Sequence, residues 1–173
     1  MIIQFCGLSG SGKTTLANMA KEYFKNKKAD IEVIDGDEYR KFLSPDLGYS
    51  KKDRNANIRR LAFVADKLSQ YKVIPIISAI NPYDEIRKEI AQTYPGTKTV
   101  YIKCSLEELM KRDTKGMYAR AMLPEGHTNR LNNLSGVNDP FEFPENPDLI
   151  IETDKETITE SADKLIKFIE QNK

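Results

Sequence analysis

Residues 7–15 read GLSGSGKTT and follow directly on MIIQFC, a short apolar run at the start of the chain. Gly7 to Thr14 satisfy the pattern G-x-x-x-x-G-K-[ST] in full, with a strand-like run before it and a helical stretch after it. Each residue type has a chemical reason. The glycines, Gly7, Gly10 and Gly12, let the backbone curl so that the N–H groups of Leu8, Ser9, Ser11 and their neighbours point inward, and the N-terminus of the helix entered through Thr14 and Thr15 adds its positive dipole end. Lys13 can reach the β- and γ-phosphates of a nucleotide, and the Thr14 hydroxyl can ligate Mg²⁺. A Gly-rich turn formed by chance would not need strand, loop and helix in this order. ATP with Mg²⁺ is therefore the expected ligand pair.

The remainder of the chain continues the alternation that this loop opens. Strand-like runs occur at IEVID, VIPIIS, KTVYIKC and DLIIET. Between them Ile58, Leu61, Ala62, Ala65 and Leu68 recur at helical spacing, as do Ile158, Ala162, Leu165 and Ile169. Thr153 and Glu156 have the spacing of a capping box for that last helix. The pattern predicts an α/β fold of the P-loop NTPase type: a five-stranded, mainly parallel sheet with helices on both faces. No repeat, low-complexity tract or linker divides the sequence, so residues 1–173 read as one domain. From Lys111 to Pro147 the text is rich in Gly, Asn, Pro and charge, and a connection this long predicts a lid over the site.

A phosphate loop alone leaves switch GTPase, motor ATPase and small-molecule kinase open. The guanine-reading N-K-x-D element is not matched by NKKAD at 26–30, where Ala29 stands in place of the acidic residue. The short chain with its lid favours a kinase that closes over two substrates and excludes water. DGDEYR, residues 35–40, places Asp35 and Asp37 at the C-terminal end of the second strand, where ligands of open α/β folds bind. Either carboxylate can hold Mg²⁺ or take a proton from an attacking hydroxyl. The plainer reading is an Asx turn with Asp37 as helix N-cap. Arg40 lies three residues beyond Asp37. In DRNANIRR, residues 53–60, Arg54 and Asn57 share a helix face and offer a guanidinium fork and an amide, while Arg59 and Arg60 read as solvated or paired surface charges. His127, the only histidine, lies in the lid without Cys or His neighbours, which argues against a zinc centre.

Composition sets the outer bounds. A formal net charge of +1 gives no global reason to expect nucleic acid or an anionic membrane as partner. The longest apolar runs are too short to span a bilayer, and no leader-like segment opens the sequence. Cys6 and Cys104 read as small buried hydrophobes, reduced in a cytoplasmic setting.

Taken together, GLSGSGKTT, DGDEYR, LGYSKKDRNANIRR, KRDTKGMY and GVNDPFEFPENPDLIIET resemble the adenylylsulfate kinases, in order and spacing as well as residue type. The resemblance implies transfer of the ATP γ-phosphate to the ribose 3′-hydroxyl of a 5′-nucleotide. It places Asp35 and Asp37 at Mg²⁺ and the 3′-hydroxyl, and Arg40, Arg54 and Asn57 on the acceptor nucleotide. Tyr49 stacks on its base, and Arg112 belongs to the ATP side of the lid. A homodimer is implied as well. The pattern departs from the family at acceptor-side positions. Asn81 stands where a serine is usual, Asp84 where an arginine is usual, and Leu134 replaces a stacking aromatic, forfeiting a contact worth roughly 1–3 kcal/mol. These departures leave two acceptors open: adenylylsulfate, or a cytidine nucleotide as in the related cytidine diphosphoramidate kinases of capsule biosynthesis. For the second, Asp84 would accept a hydrogen bond from an amino group, and Asn129, Asn132 and Asn133 would read a pyrimidine edge. The plainer alternative has Asp84 in solvent or paired with Arg87, and Leu134 still packed on adenine. A degenerate kinase acting as a nucleotide sensor is the rival of another class.

Overall fold

Ile2–Cys6, the strand β1 that leads into the glycine loop, is buried along its whole length, as a strand covered on both faces must be. The computed structural model describes every residue of the chain except 26 and 28. Asn26 and Lys28 of the NKKAD stretch therefore lie outside the described residues. The order is β1, α1 (Lys13–Lys25), β2 (Ile31–Asp35), α2 (Gly36–Leu43), α3 (Lys51–Ser69), β3 (Ile74–Ser78), α4 (Asp84–Thr93), β4 (Thr97–Lys103), α5 (Leu106–Arg112), α6 (Met117–Ala121), β5 (Leu149–Glu152) and α7 (Ile158–Asn172).

The five strands form one sheet in the order β2-β3-β1-β4-β5, and every pairing is parallel. Side chains alternate across β1. Ile3 and Phe5 join Val100, Ile102 and Ile151 beneath α1 and α7, while Ile2 joins Ile34 and Ile77 beneath α3 and α4. The helical spacings supply the covers: Ile58, Leu61, Ala62 and Ala65 from α3 on one face, Ala162, Leu165 and Ile169 from α7 on the other. β1 lies between β3 and β4, and the chain crosses from β3 on one side of it to β4 on the other, so the crevice at the C-terminal ends of these strands is the switch point where ligands of such sheets sit.

Two local expectations are corrected. The last helix is capped by Thr157 and Glu160, not by Thr153 and Glu156. Thr153 is still held by the sheet edge, its N–H donating to Lys103 O at 2.9 Å, so the chain is not yet free to turn. Likewise Asp35, not Asp37, caps α2, its Oδ1 accepting from the backbone N–H groups of Asp37 and Glu38 at 2.9 and 3.1 Å. Arg59 and Arg60 pair with Glu89 and Asp46, as their surface position predicts. Residues 113–147 fold over the C-terminal edge of the sheet with only α6 as regular helix. Tyr118 of α6 donates its hydroxyl to Ser9 O at 2.8 Å, docking the lid on the glycine loop.

Candidate active site

The glycine loop between β1 and α1 is shaped by close approach. A Cβ on Gly7 would stand 2.4 Å from the backbone oxygen of Ile102, a distance no side chain survives, and the Gly7 N–H donates to Ile80 O at 3.1 Å. Lys13, the first residue of α1, is buried, and its Nζ donates to Gly7 O at 2.9 Å and Leu8 O at 2.6 Å. Burial lowers its pKa to about 8, against an ordinary lysine value of 10.5. Its neighbour Thr14 donates its hydroxyl to Asp35 Oδ2 at 2.8 Å and lies 3.2 Å from Ser78 Oγ at the end of β3. Asp35 thus uses one oxygen to start α2 and the other to hold Thr14.

A cavity of about 270 Å³ lies above this loop, walled by Ser9, Gly10, Gly12, Lys13, Thr14 and Thr15 with Asp35, Asp37 and Ser78. The lid contributes Thr114 and Lys115, and Lys115 Nζ pairs with Asp37 at 2.7 Å. A second cavity of about 340 Å³ adjoins it, walled by Arg40, Tyr49, Arg54, Asn57, Asn81 and Leu134. Asp37, Ala79, Ile80 and Met117 border both, whereas Asp35 borders only the first. The sheet edge therefore carries a compartment over the glycine loop and a neighbouring one with Asp37 at the passage.

The second compartment gathers the arginines onto a frame. Arg40 donates to the carbonyls of Leu47 and Gly48. Arg54 donates to Tyr49 O at 3.0 Å and Asn133 O at 2.6 Å, and pairs with Asp139 at 3.3 Å. Both guanidinium groups flank the Tyr49 ring, 4.6 and 5.4 Å from its centroid, which fixes an otherwise exposed aromatic at the mouth. Asn57 is buried, with Oδ1 lacking a partner among the described residues. Leu134 packs against Cys104, Leu109, Tyr118 and Ala121 and still reaches the cavity wall.

Not every expected residue arrives. Arg112 donates to Glu108 and to Thr153 O on the flank of the loop and is not in the phosphate cavity wall. Leu8 turns its side chain away, toward Gly136 and a larger cavity of about 840 Å³ lined by Tyr101, Phe141 and Phe143. Lys13, Asp35, Asp37, Arg40 and Arg54 all lie outside its lining. Asp84 takes the plainer of its two expected places, and the amino-group reading is corrected: it pairs with Arg87 at 3.1 Å and Lys88 at 2.6 Å, outside the acceptor cavity. Burial opposes its charge, but the hydrogen bonds from Lys88 and Arg87 outweigh it and hold the carboxyl below its usual range. Of Asn129, Asn132 and Asn133, only Asn133 lines the cavity. Lys115, Ser78 and Arg120 are site-wall residues that the sequence reading did not single out. The signal for Lys115 was its place in KRDTKGMY, a cation directly before a glycine in the lid.

Among the described residues no three His, Cys, Asp or Glu side chains lie close enough to hold a metal by themselves. The Thr14 hydroxyl beside the Asp35 carboxylate is instead the sparse oxygen set that suits Mg²⁺ shared with substrate phosphates. Among the same residues no helix is long and apolar enough to cross a membrane.

The family model for adenylylsulphate kinase matches residues 1–152. The adenylyl-sulfate kinase of Halothermothrix orenii is 42% identical over 169 residues, spanning 98% of this chain and 89% of its own. The solved structure of the Mycobacterium tuberculosis APS kinase CysC in complex with AMPPNP and APS superposes with a TM-score of 0.88 at 33% identity, covering 98% of this chain and 96% of that one. A hexameric APS kinase from Thiobacillus denitrificans superposes with a TM-score of 0.68 at 25% identity, covering 98% of this chain and 28% of its own.

Proposed function

Because the chain belongs to the adenylylsulphate kinase family, we propose that it transfers the γ-phosphate of ATP to the ribose 3′-hydroxyl of adenylylsulfate, giving 3′-phosphoadenylylsulfate. The observation that carries this reading is Asp37 at the passage between the phosphate cavity and the arginine-lined cavity. A hydroxyl entering from the second compartment meets the phosphates of the first beside that carboxylate.

Each residue then has a task. The N–H groups from Gly12 to Thr15 and the Lys13 ammonium cradle the β- and γ-phosphates in the loop Gly7–Thr15, so that catalysis is chiefly positioning and charge neutralisation. Thr14 and Asp35 would hold Mg²⁺, which neutralises phosphate charge when bound. Asp37 accepts the proton of the 3′-hydroxyl. Lys115, now paired with Asp37, supplies the lid's positive charge to the transferring group. Arg40, Arg54 and Asn57 hold the anionic 5′ group of the acceptor, with Tyr49 and Leu134 on either side of the base, Asn81 in the cavity wall and Arg112 flanking the ATP side. Residues 1–173 act as one kinase domain with the lid at about 111–147. We place it in the cytoplasm as a homodimer; two buried unpaired thiols, Cys6 and Cys104, support the compartment.

The experiment is a coupled ADP-release assay with adenylylsulfate and cytidine diphosphoramidate side by side. With Asp84 spent in ion pairs and the relatives named as adenylyl-sulfate kinases, adenylylsulfate should lead by about a hundredfold in kcat/KM, or about 2.7 kcal/mol of transition-state stabilisation. A preference for the cytidine nucleotide would overturn the acceptor assignment. Clean ATP binding without turnover of any 5′-nucleotide would support a sensor instead.

A further inference from the structure

Beneath the wall of the acceptor cavity lies a buried polar network centred on two residues outside the motifs, Gln4 and Arg87. Gln4 of β1, Asn81 after β3 and Arg87 of α4 are each 2% exposed or less. The chemistry of one atom fixes the orientation of the rest. The Arg87 backbone carbonyl can only accept, so the Gln4 amide group facing it at 3.0 Å is the NH₂, which also reaches Thr99 Oγ1 at 3.0 Å. Gln4 Oε1 is thereby turned to Asn81, whose Nδ2 donates to it at 3.1 Å. Asn81 holds a left-handed backbone, φ 47°, which Asn tolerates better than most residues. Its carbonyl accepts from Arg87 at 2.7 Å.

The other arm of the Arg87 guanidinium donates to Glu142 O at 2.6 Å and to Asp84 Oδ1 at 3.1 Å. Glu142 N–H donates to Pro82 O at 2.8 Å, and Asp84 N–H donates to Glu142 Oε2 at 2.7 Å. One side chain thus staples together two segments. The first carries Ile80, Asn81 and Pro82 into the acceptor wall; the second is the lid's return, where Asp139 pairs with Arg54.

We propose that Arg87 is a positioning residue for the acceptor nucleotide, holding the 80–84 wall against the lid's return, with Gln4 fixing the Asn81 amide behind that wall. Arg87 borders neither cavity, so it acts through Asn81, Pro82 and Glu142. The groups that grip ATP hang on the β1–α1 loop and α1, which meet this wall at Ile80, whose carbonyl accepts from Gly7 N–H at 3.1 Å. Lysine cannot replace the fork, because one ammonium on a flexible stem cannot serve both carbonyls in fixed directions. The inference rests on reading that cavity as the acceptor site.

The test is steady-state kinetics on the full chain, with ATP and adenylylsulfate varied in turn, for wild type, Arg87→Lys and Gln4→Met. Wild type must first turn over adenylylsulfate; if it does not, the acceptor reading itself falls and takes this proposal with it. Given that turnover, Arg87→Lys should raise the KM for adenylylsulfate about tenfold while the KM for ATP stays within about twofold, with a smaller shift of the same kind in Gln4→Met. Gln4→Met, close in volume, decides the matter if Arg87→Lys fails to fold. A thermal melt accompanies each assay. A lowered melting temperature with both KM values unchanged, or both raised alike, would leave Arg87 a merely structural residue and overturn the proposal.

Discussion

Lys13 concentrates the conflict of the site in one side chain: the loop needs a cation where burial disfavours one. Its pKa of about 8 gives the sign of two effects. Between that value and the ordinary lysine pKa, the empty folded protein holds fewer protons on this group than the unfolded chain. The burial penalty is therefore present in full below pH 8 and is relieved as pH rises. Triphosphate reverses the preference, so ATP binding should take up a proton above about pH 8 and weaken as pH rises further. Calorimetry in two buffers of different ionisation enthalpy would register that uptake; identical heats would count against it. Lys13→Ala should lower kcat on the order of 10²–10³-fold, more than it weakens ATP binding, because charge builds up in the transition state. Asp37→Asn should lower kcat on the order of 10²–10⁴-fold with little change in the KM for ATP; a near wild-type kcat would remove it from the chemistry. The sequence announced Lys13, Thr14, Asp35 and Asp37 because local chemistry demands each at a fixed spacing. Gln4 was silent, since its partners lie on segments far along the chain, and of Arg87 only the near pairing with Asp84 was legible, not its hold on Glu142.

At the scale of elements, spacing was legible and boundaries were less so. Thr153–Glu156 and Thr157–Glu160 present the same T-x-x-E text, and nothing local distinguishes them. The choice is made by β4, which holds Thr153 through Lys103 O until the chain has left the sheet. The two threonines should therefore fail differently. Thr157→Ala removes a cap and should cost about 1 kcal/mol in a urea melt while leaving kcat and both KM values unchanged. Thr153 donates its hydroxyl to Ser11 O at 3.0 Å, so Thr153→Ala should show its effect in the KM for ATP. If Thr157→Ala were silent in the melt, the capping geometry would carry no weight. The same degeneracy explains Asp35 and Asp37, two carboxylates either of which can cap a helix by its local text; Asp35 both caps α2 and holds Thr14.

At the scale of the molecule, strict alternation of β-branched runs and amphipathic helices was enough to read a parallel sheet covered on both faces, because few other arrangements bury such strands. The strand order and the two-compartment edge were not readable, since they depend on which strands meet across long stretches of chain. That topology has a consequence for how the protein comes to exist. In the sheet Ile3 lies beside Ile76 on one side and Lys98 on the other, so β1 finds no neighbour close to it in sequence. Gly7 is likewise set by Ile80 and Ile102. The glycine loop precedes β3 and β4 along the chain yet acquires its form only when both have joined it. Folding should accordingly be slow for a chain of this size, as contacts distant in sequence dictate. In pulsed hydrogen exchange during refolding, the amides of Gly7 to Thr14 should gain protection with those of β4, not with α1 alone. A nascent chain released before β4 carries the whole phosphate motif and no pocket to put it in.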